Sequence, residues 1–438
     1  MNAVVATTRG PWAALAAAQA TLPGSPDWQA WRHGLLERLT AEGLPTPRAD
    51  AWKYTNLRLL ERRTLAPRPP APLAVDALAS LPAIEGPRLV FIDGRYSAAL
   101  STAVLPAGIE FTQLATLYAK NPPADFSARL ATAEGGVDER VRQLNAALGA
   151  DGAWLRCAPG VRLPTPLSVV NVATGGGAYP RLWLDVGAGA SLTLVEFHLG
   201  HGDAESVTAA CADVKLEAGA ALEHLSVQLA SRTAVLLDDV AVGLAREARY
   251  SHRLLALGAQ LARLDLRVEL TGDASAADLA GLVLAGDQRQ LDVRTLVTHA
   301  GRRTVSTQLY RGISSGRGRG SYDGKVLVQV GAAGSDSRQS CRGLLLSRDA
   351  AFDARPQLEI NTDDVKCSHG AATGALDEQM LFYLLSRGLD RATARALLSF
   401  AFAEDVIAQL TLPALRRYAE ERLLGSLPAA ELIREFVA

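Results

Sequence analysis

The sequence predicts a mainly β protein, a parallel β-helix core flanked by N-terminal and C-terminal α-helical regions. Three observations lead there. Between residues 151 and 360, apolar and polar residues alternate in short runs, as in Arg263-Leu264-Asp265-Leu266-Arg267-Val268-Glu269-Leu270 and Leu291-Asp292-Val293-Arg294-Thr295-Leu296-Val297. This is the pattern of strands whose side chains point to opposite faces in turn. A small-residue motif recurs through the same region. Val186-Gly187-Ala188-Gly189-Ala190-Ser191-Leu192 is echoed by Glu217-Ala218-Gly219-Ala220-Ala221-Leu222, then by Ala245–Tyr250 and Gly272–Ala277, at intervals of about 27–30 residues. Such an interval suits stacked solenoid units, each burying its inner row only against a neighbour. At both ends of the chain, apolar residues instead fall at helical spacing. Sandwiches and barrels also use many short strands; the repeat and its small corner residues favour the β-helix.

Taken in order, residues 1–65 read as helical, with Trp28, Trp31, Leu35, Leu36 and Leu39 at helix-like intervals. Residues 66–150 form a linker and a mixed α/β segment. Its first part, 66–84, is rich in Pro and Ala, and Arg140–Leu148 is a helix ended near Gly149. The β-helix core occupies 151–373. From 374 to 438 the pattern is helical. Asp377 caps Glu378–Arg387 and Gly388 stops it; Asp390 caps a second helix; Thr411 caps a third, with Pro413 in its first turn and Gly425 beyond its end. Phe382, Leu385, Leu398 and Phe402 read as core residues of these helices.

The 438 residues carry 45 basic and 46 acidic side chains, a net charge of −1. No electrostatic case exists for nucleic acid or an acidic membrane surface as partner. Aromatic residues make up only 5%, so the apolar mass is Ala, Leu and Val. The four cysteines, Cys157, Cys211, Cys341 and Cys367, are far apart and form no Cys-x-x-Cys. That argues against a disulfide framework and for a reducing compartment. No run of about 20 apolar residues appears, and the first residues do not read as an export signal. A cytoplasmic protein, not held in a membrane, is expected.

The segment Arg355–Gly388 carries the most chemical information. In Lys366-Cys367-Ser368-His369-Gly370 a thiol and an imidazole lie two residues apart, so on a strand both point to one face and can act as neighbouring ligands. Spacing alone favours a packed thiol and a satisfied imidazole at a strand end, because one Cys-x-His lacks a second ligand pair. Cysteine-dependent hydrolysis by Cys367 has no local catalytic signature behind it. His198, His201 and Asp203 fall within six residues and fit either a metal loop or, more readily, a polar turn. Cys157 and Cys211 read as small hydrophobes. Gly316-Arg317-Gly318-Arg319-Gly320 has the texture of a phosphate loop. It lacks a following Gly-Lys-Ser/Thr and a strand–loop–helix context, so 314–324 reads as a flexible basic loop. The chain is expected to bind no nucleotide itself.

The string Arg355-Pro356-Gln357-Leu358-Glu359-Ile360, followed by Asp363-Asp364-Val365-Lys366-Cys367-Ser368-His369-Gly370 and Leu376-Asp377-Glu378-Gln379-Met380, resembles the C-terminal signature of the SufB/SufD family. These are scaffold subunits of the Suf iron–sulfur cluster assembly machine. Ala51-Trp52-Lys53-Tyr54-Thr55, Leu89–Gly94 and Leu344–Ser347 resemble further segments of that family, so the likeness spans nearly the whole chain. Lys366–Gly370 is closest to the SufD wording. Ser340-Cys341-Arg342-Gly343-Leu344-Leu345 aligns with a cluster-related Cys string of SufB, where SufD-like chains commonly carry Asn. The resemblance implies a right-handed parallel β-helix. It further implies pairing with a SufB-like subunit through the β-helix ends, and docking of a SufC-like ATPase on the C-terminal helices. His369, Cys367 and Cys341 become candidate ligands of a transient iron–sulfur cluster at the partner interface, with His369 and Cys367 the candidate iron ligands. Alone, the chain is expected to self-pair through the edge that SufB would cover. The expected role is that of a non-catalytic subunit. The rival readings are a β-helix enzyme acting on polysaccharide, for which Asp363-Asp364 is the best carboxylate pair, and a ligand-free interaction module.

Overall fold

The computed structural model describes residues 14–69, 72–102, 104–120, 139–427 and 430–437. The strands are β1 (Arg88–Ile92), β2 (Arg95–Tyr96), β3 (Ile109–Gln113), β4 (Ala153–Cys157), β5 (Leu167–Ala173), β6 (Gly176–Ala178), β7 (Arg181–Val186), β8 (Ser191–Gly200), β9 (Ser206–Leu216) and β10 (Ala221–Leu229). They continue as β11 (Val235–Leu244), β12 (Arg249–Ala256), β13 (Leu261–Leu270), β14 (Ala276–Ala285), β15 (Gln290–His299), β16 (Val305–Ser314), β17 (Arg319–Val328), β18 (Ser335–Leu345), β19 (Ala351–Ile360) and β20 (Val365–Gly374). From β8 onward, successive strands go alternately to two facing sheets. One runs β2-β1-β5-β8-β10-β12-β14-β16-β18-β20, the other β19-β17-β15-β13-β11-β9-β7-β4-β3, with β6 beside β9. Every pairing is parallel except β1 with β2 and β3 with β4. This is a parallel β-solenoid, as the repeat predicts. Ala221 lies beside Arg249, Arg249 beside Ala276, Ala276 beside Val305 and Val305 beside Asp336, so one coil takes 27–31 residues.

The corners explain the repeated motif. Gly189 N–H donates to Ala218 O, Gly219 N–H to Arg246 O, Glu247 N–H to Asp273 O and Ala274 N–H to Arg302 O. Each of these donors has φ between 58° and 66°. The early coils fill this left-handed position with glycine, which adopts it without strain. The later coils use Glu247 and Ala274, which is why the motif fades from the sequence while the geometry persists.

The solenoid is buried inside and out. Its interior is filled by inward rows such as Leu192, Leu222, Leu254, Leu264, Leu266 and Val293. The outer face of the β3–β19 sheet is covered by N-terminal elements that include α1 (Leu15–Ala20), α2 (Pro26–Glu42), α3 (Leu114–Tyr118) and α4 (Arg140–Leu148): Trp28, Leu35 and Leu39 of α2, together with Trp52, Leu57 and Leu144 of α4, pack near Val207, Val235 and Leu261. The outer face of the β2–β20 sheet, with Phe197, Leu225, Val227 and Leu282, is covered by Phe400, Ala403, Val406 and Leu415 of the C-terminal helices. Parallel sheets covered on both faces are the usual case.

Four readings are corrected. The Pro/Ala-rich 66–84 is no free linker: Pro67 bridges to Gly177, and Leu73, Leu78, Leu81 and Ile84 pack on the outer apolar face. The segment 314–324 is not one flexible loop: only 315–318 form a corner, Arg319 onward is strand β17, and Gly320 faces inward against Phe352. Thr411 does not cap its helix. Leu412 holds that position, and the Thr411 hydroxyl donates instead to Glu223 at 2.7 Å. Phe382 is 71% exposed; the buried residue of its helix is Leu381. The Ala-rich start of the predicted helical region, residues 1–13, lies outside the described residues.

Candidate functional site

β20 and β19 are the last strands of their sheets, so the solenoid ends there with two unpaired edges. On β18 the burial alternates: Ser337, Gln339 and Cys341 are buried while Arg338 and Arg342 are exposed. The first three thus form part of the inner row. In register on β20, Cys367 lies beside Ser337, His369 beside Gln339 and Ala371 beside Cys341. Residues paired in a parallel sheet share a face, so Cys367 and His369 continue the inner row onto the final coil. Among the described residues nothing covers that coil. His369 is exposed and Cys367 half-buried, its thiol packed against the interior core. Strand rise puts their Cα atoms about 6.6 Å apart.

Cys341 lies one coil deeper, fully buried. With strands about 4.8 Å apart, its Cα is about 8 Å from that of His369. Burial pushes its thiol up to about 12. Burial also raises Cys367, opposed by a hydrogen bond from the Ser337 main chain. In the layer beneath, Gln339 Nε2 donates to Gly324 O at 3.1 Å, and the Tyr310 and Tyr322 rings stack at 4.6 Å. Among the described residues, no three His, Cys, Asp or Glu side chains are placed to hold a metal ion. Taken by itself, the open end offers one imidazole and one thiol.

The other sequence candidates disperse. His198 points into the solenoid from β8, whereas His201 and Asp203 sit in an exposed corner. Asp363 and Asp364 are exposed in the turn before β20. Beyond that turn, α5 (Glu378–Ser386), α6 (Arg391–Ile407), α7 (Pro413–Leu424) and α8 (Ala430–Val437) close the chain. Asp377 caps α5 through Gln379 N–H, and Asp390 caps α6 through Ala392 and Thr393 N–H. α5 carries Met380, Phe382 and Tyr383 in the open.

Two polar constellations escaped the sequence reading. Inside the solenoid, Glu196, His198, His224, Asp238 and His252 are all buried. His224 Nε2 is 3.3 Å from Glu196, and His198 Nε2 is 3.6 Å from both Glu196 and Asp238. Burial works against the charge on Glu196, but His224 and His198 outweigh it and lower its carboxyl; burial raises Asp238 to about 6. Outside, Arg142 bridges Asp213 and Asp239 at 2.7 Å, and Arg263 pairs with Asp265 at 2.7 Å beneath the N-terminal elements. The Trp52–Thr55 string docks there. Arg263 lies 4.1 Å from the Trp52 ring centre and donates to Thr55 Oγ1, which donates to Asp292. Alternation gave the faces of these residues; only the fold shows that the outer face is covered.

No described helix is long and apolar enough to cross a membrane. Residues 169–402 match the family profile described as SUF system FeS cluster assembly, SufBD core domain. The chain is 30% identical over 416 residues to iron–sulfur cluster assembly protein SufD of Escherichia coli, covering 91% of this chain and 93% of that one. It is 28% identical over 406 residues to a SufBD family protein of Synechocystis, covering 88% of each. It is also 25% identical over 411 residues to the chloroplastic protein ABCI7 of Arabidopsis thaliana, covering 90% and 85%. With this fold and these likenesses, the chain belongs to the SufBD family of iron–sulfur cluster assembly proteins.

Proposed function

We propose that this chain is a non-catalytic scaffold subunit that works in the cytoplasm, pairs with a SufB-like subunit and docks a SufC-like ATPase. The observation that carries the reading is the uncovered last coil, where His369 is exposed and Cys367 half-buried on one face of an edge strand. An edge strand with free main-chain groups accepts another chain by strand addition. A partner seated there covers His369 and Cys367 and adds the ligands this end lacks. Imidazole and thiolate both suit iron, so the nascent cluster is cargo held between the two subunits. Cys341 joins the set only if β20 shifts, because its thiol is one coil inside and protonated. The exposed Met380, Phe382 and Tyr383 of α5 supply an apolar surface for the ATPase, whose closure on ATP strains the paired ends.

Co-expression with SufB-like and SufC-like subunits of the same organism, followed by affinity purification and mass measurement, tests the pairing. A complex holding all three is expected; recovery of this chain alone overturns it. In that complex His369→Ala is expected to abolish cluster formation while assembly stays intact. Unchanged cluster yield removes His369 from the site.

A further inference from the structure

We propose that a cleft between the outer face of the solenoid and the C-terminal end of α7 binds a phosphate-bearing small molecule through Arg232, Arg289 and Arg422. The cleft has a volume of about 390 Å³, within the range of small-ligand sites. Arg289 Nη1 donates to Leu257 O at 3.0 Å, while its Nε is buried without a partner. Among the described residues, none of the three arginines takes part in an ion pair within 4.0 Å. Two carboxylates, Asp287 and Glu421, line the same cleft without pairing with these arginines. Asp287 is committed to Arg317, accepting its main-chain N–H at 2.9 Å and facing its guanidinium at 3.6 Å. Glu421 is exposed.

Three guanidiniums gathered around one cleft repel one another unless an anion joins them. Burial and the nearness of Arg232 and Arg422 hold Arg289 below its ordinary value. The planar guanidinium fork matches phosphate oxygens in pairs. Leu257, Leu284, Ile313 and Leu346 line the same cleft and offer an apolar wall to an attached organic group. The cleft is not a phosphate loop: it joins strand ends of one sheet to a helix C-terminus, whose carbonyls disfavour anions and make the arginines necessary. The site lies on neither the open coil nor α5 and does not rest on the scaffold reading.

Isothermal titration calorimetry on the full chain, with inorganic phosphate, pyrophosphate and AMP in turn, tests this. At least one is expected to bind at a single site. Affinity should fall about tenfold or more in Arg289→Gln and in Arg232→Gln, and also with rising salt. AMP binding about tenfold tighter than phosphate assigns an organic phosphate; equal binding assigns the free ion. Arg232 is exposed, so its variant keeps the test decisive where Arg289→Gln folds poorly. No binding of any probe, or binding unaltered in both variants, overturns the proposal.

Discussion

The Phe352 ring occupies the space that a side chain on Gly312 would need. A Cβ on Gly312 would overlap the ring, and one on Gly320 or Gly343 would come within 2.5 Å of it. The glycines belong to β16, β17 and β18, and Phe352 to β19. One aromatic ring therefore fills the interior just behind the open coil, and three strands give up their side chains for it. Gly312→Ala is expected to destabilise by about 1–3 kcal/mol through overpacking, read as a lower urea midpoint. An unchanged midpoint would show that the ring moves freely.

Thr55 holds two buried charged groups in place. Its hydroxyl donates to Asp292 at 2.8 Å and accepts from Arg263 at 2.8 Å. Thr55→Val keeps the shape but leaves one donor and one acceptor without this partner. A loss of about 1–3 kcal/mol is expected, with Thr55→Ser close to wild type. Equal urea midpoints for the two variants would mean that only packing matters here.

The strands and their faces were legible because alternation is a local property. Arg263, Asp265 and Arg267 alternate with Leu264, Leu266 and Val268, and that alone placed the leucines inward. It says nothing of what lies over the charged row, where Arg263 and Arg267 are buried under the N-terminal elements. Cover is supplied by residues some two hundred positions away, which no window of the sequence reports. The same limit hid the interior cluster in which Glu196 and His198 of β8 meet His224 of the next coil. Gly320 misled for a related reason: its missing side chain serves a ring on another strand, not a flexible loop. The Cys367 and His369 pair was visible as a pair, but its exposure follows from β20 being the last strand, a fact of topology.

His299 should make the fold sensitive to acid. Its Nδ1 lies 2.7 Å from the Thr304 hydroxyl and its Nε2 2.8 Å from that of Ser306, and burial lowers it to about 4. An unfolded histidine takes a proton near 6.5. Between pH 6.5 and 4 the unfolded chain therefore binds a proton that the native protein refuses, and stability falls with pH by up to roughly 3 kcal/mol. Asp238, raised to about 6, has the opposite sign, since its contribution declines as pH rises through that value. Comparing wild type with His299→Gln separates them. The variant is expected to be less stable at pH 7, with the gap narrowing toward pH 4; a constant gap across that window would remove His299 as the source.

The four thiols should divide sharply when alkylated under native conditions. Cys157, Cys211 and Cys341 are buried, and burial pushes both Cys211 and Cys341 up to about 12. Cys367 alone is half-exposed, though burial raises its thiol too. The thiolate is the reactive form, so iodoacetamide is expected to modify Cys367 first, faster as pH rises past the ordinary thiol range. Cys341 should react only as the chain unfolds, since the β20 ladder and the final coil cover it. Peptide mass spectrometry after a timed reaction reads both sites. Matching rates at Cys341 and Cys367 would mean that the last coil opens in the free chain, which would bring Cys341 within reach of whatever docks there. A SufB-like partner seated on the open edge should protect Cys367 and leave the buried thiols as they were. Continued labelling of Cys367 in a stable complex would place the partner elsewhere and move the cluster site away from this end of the solenoid.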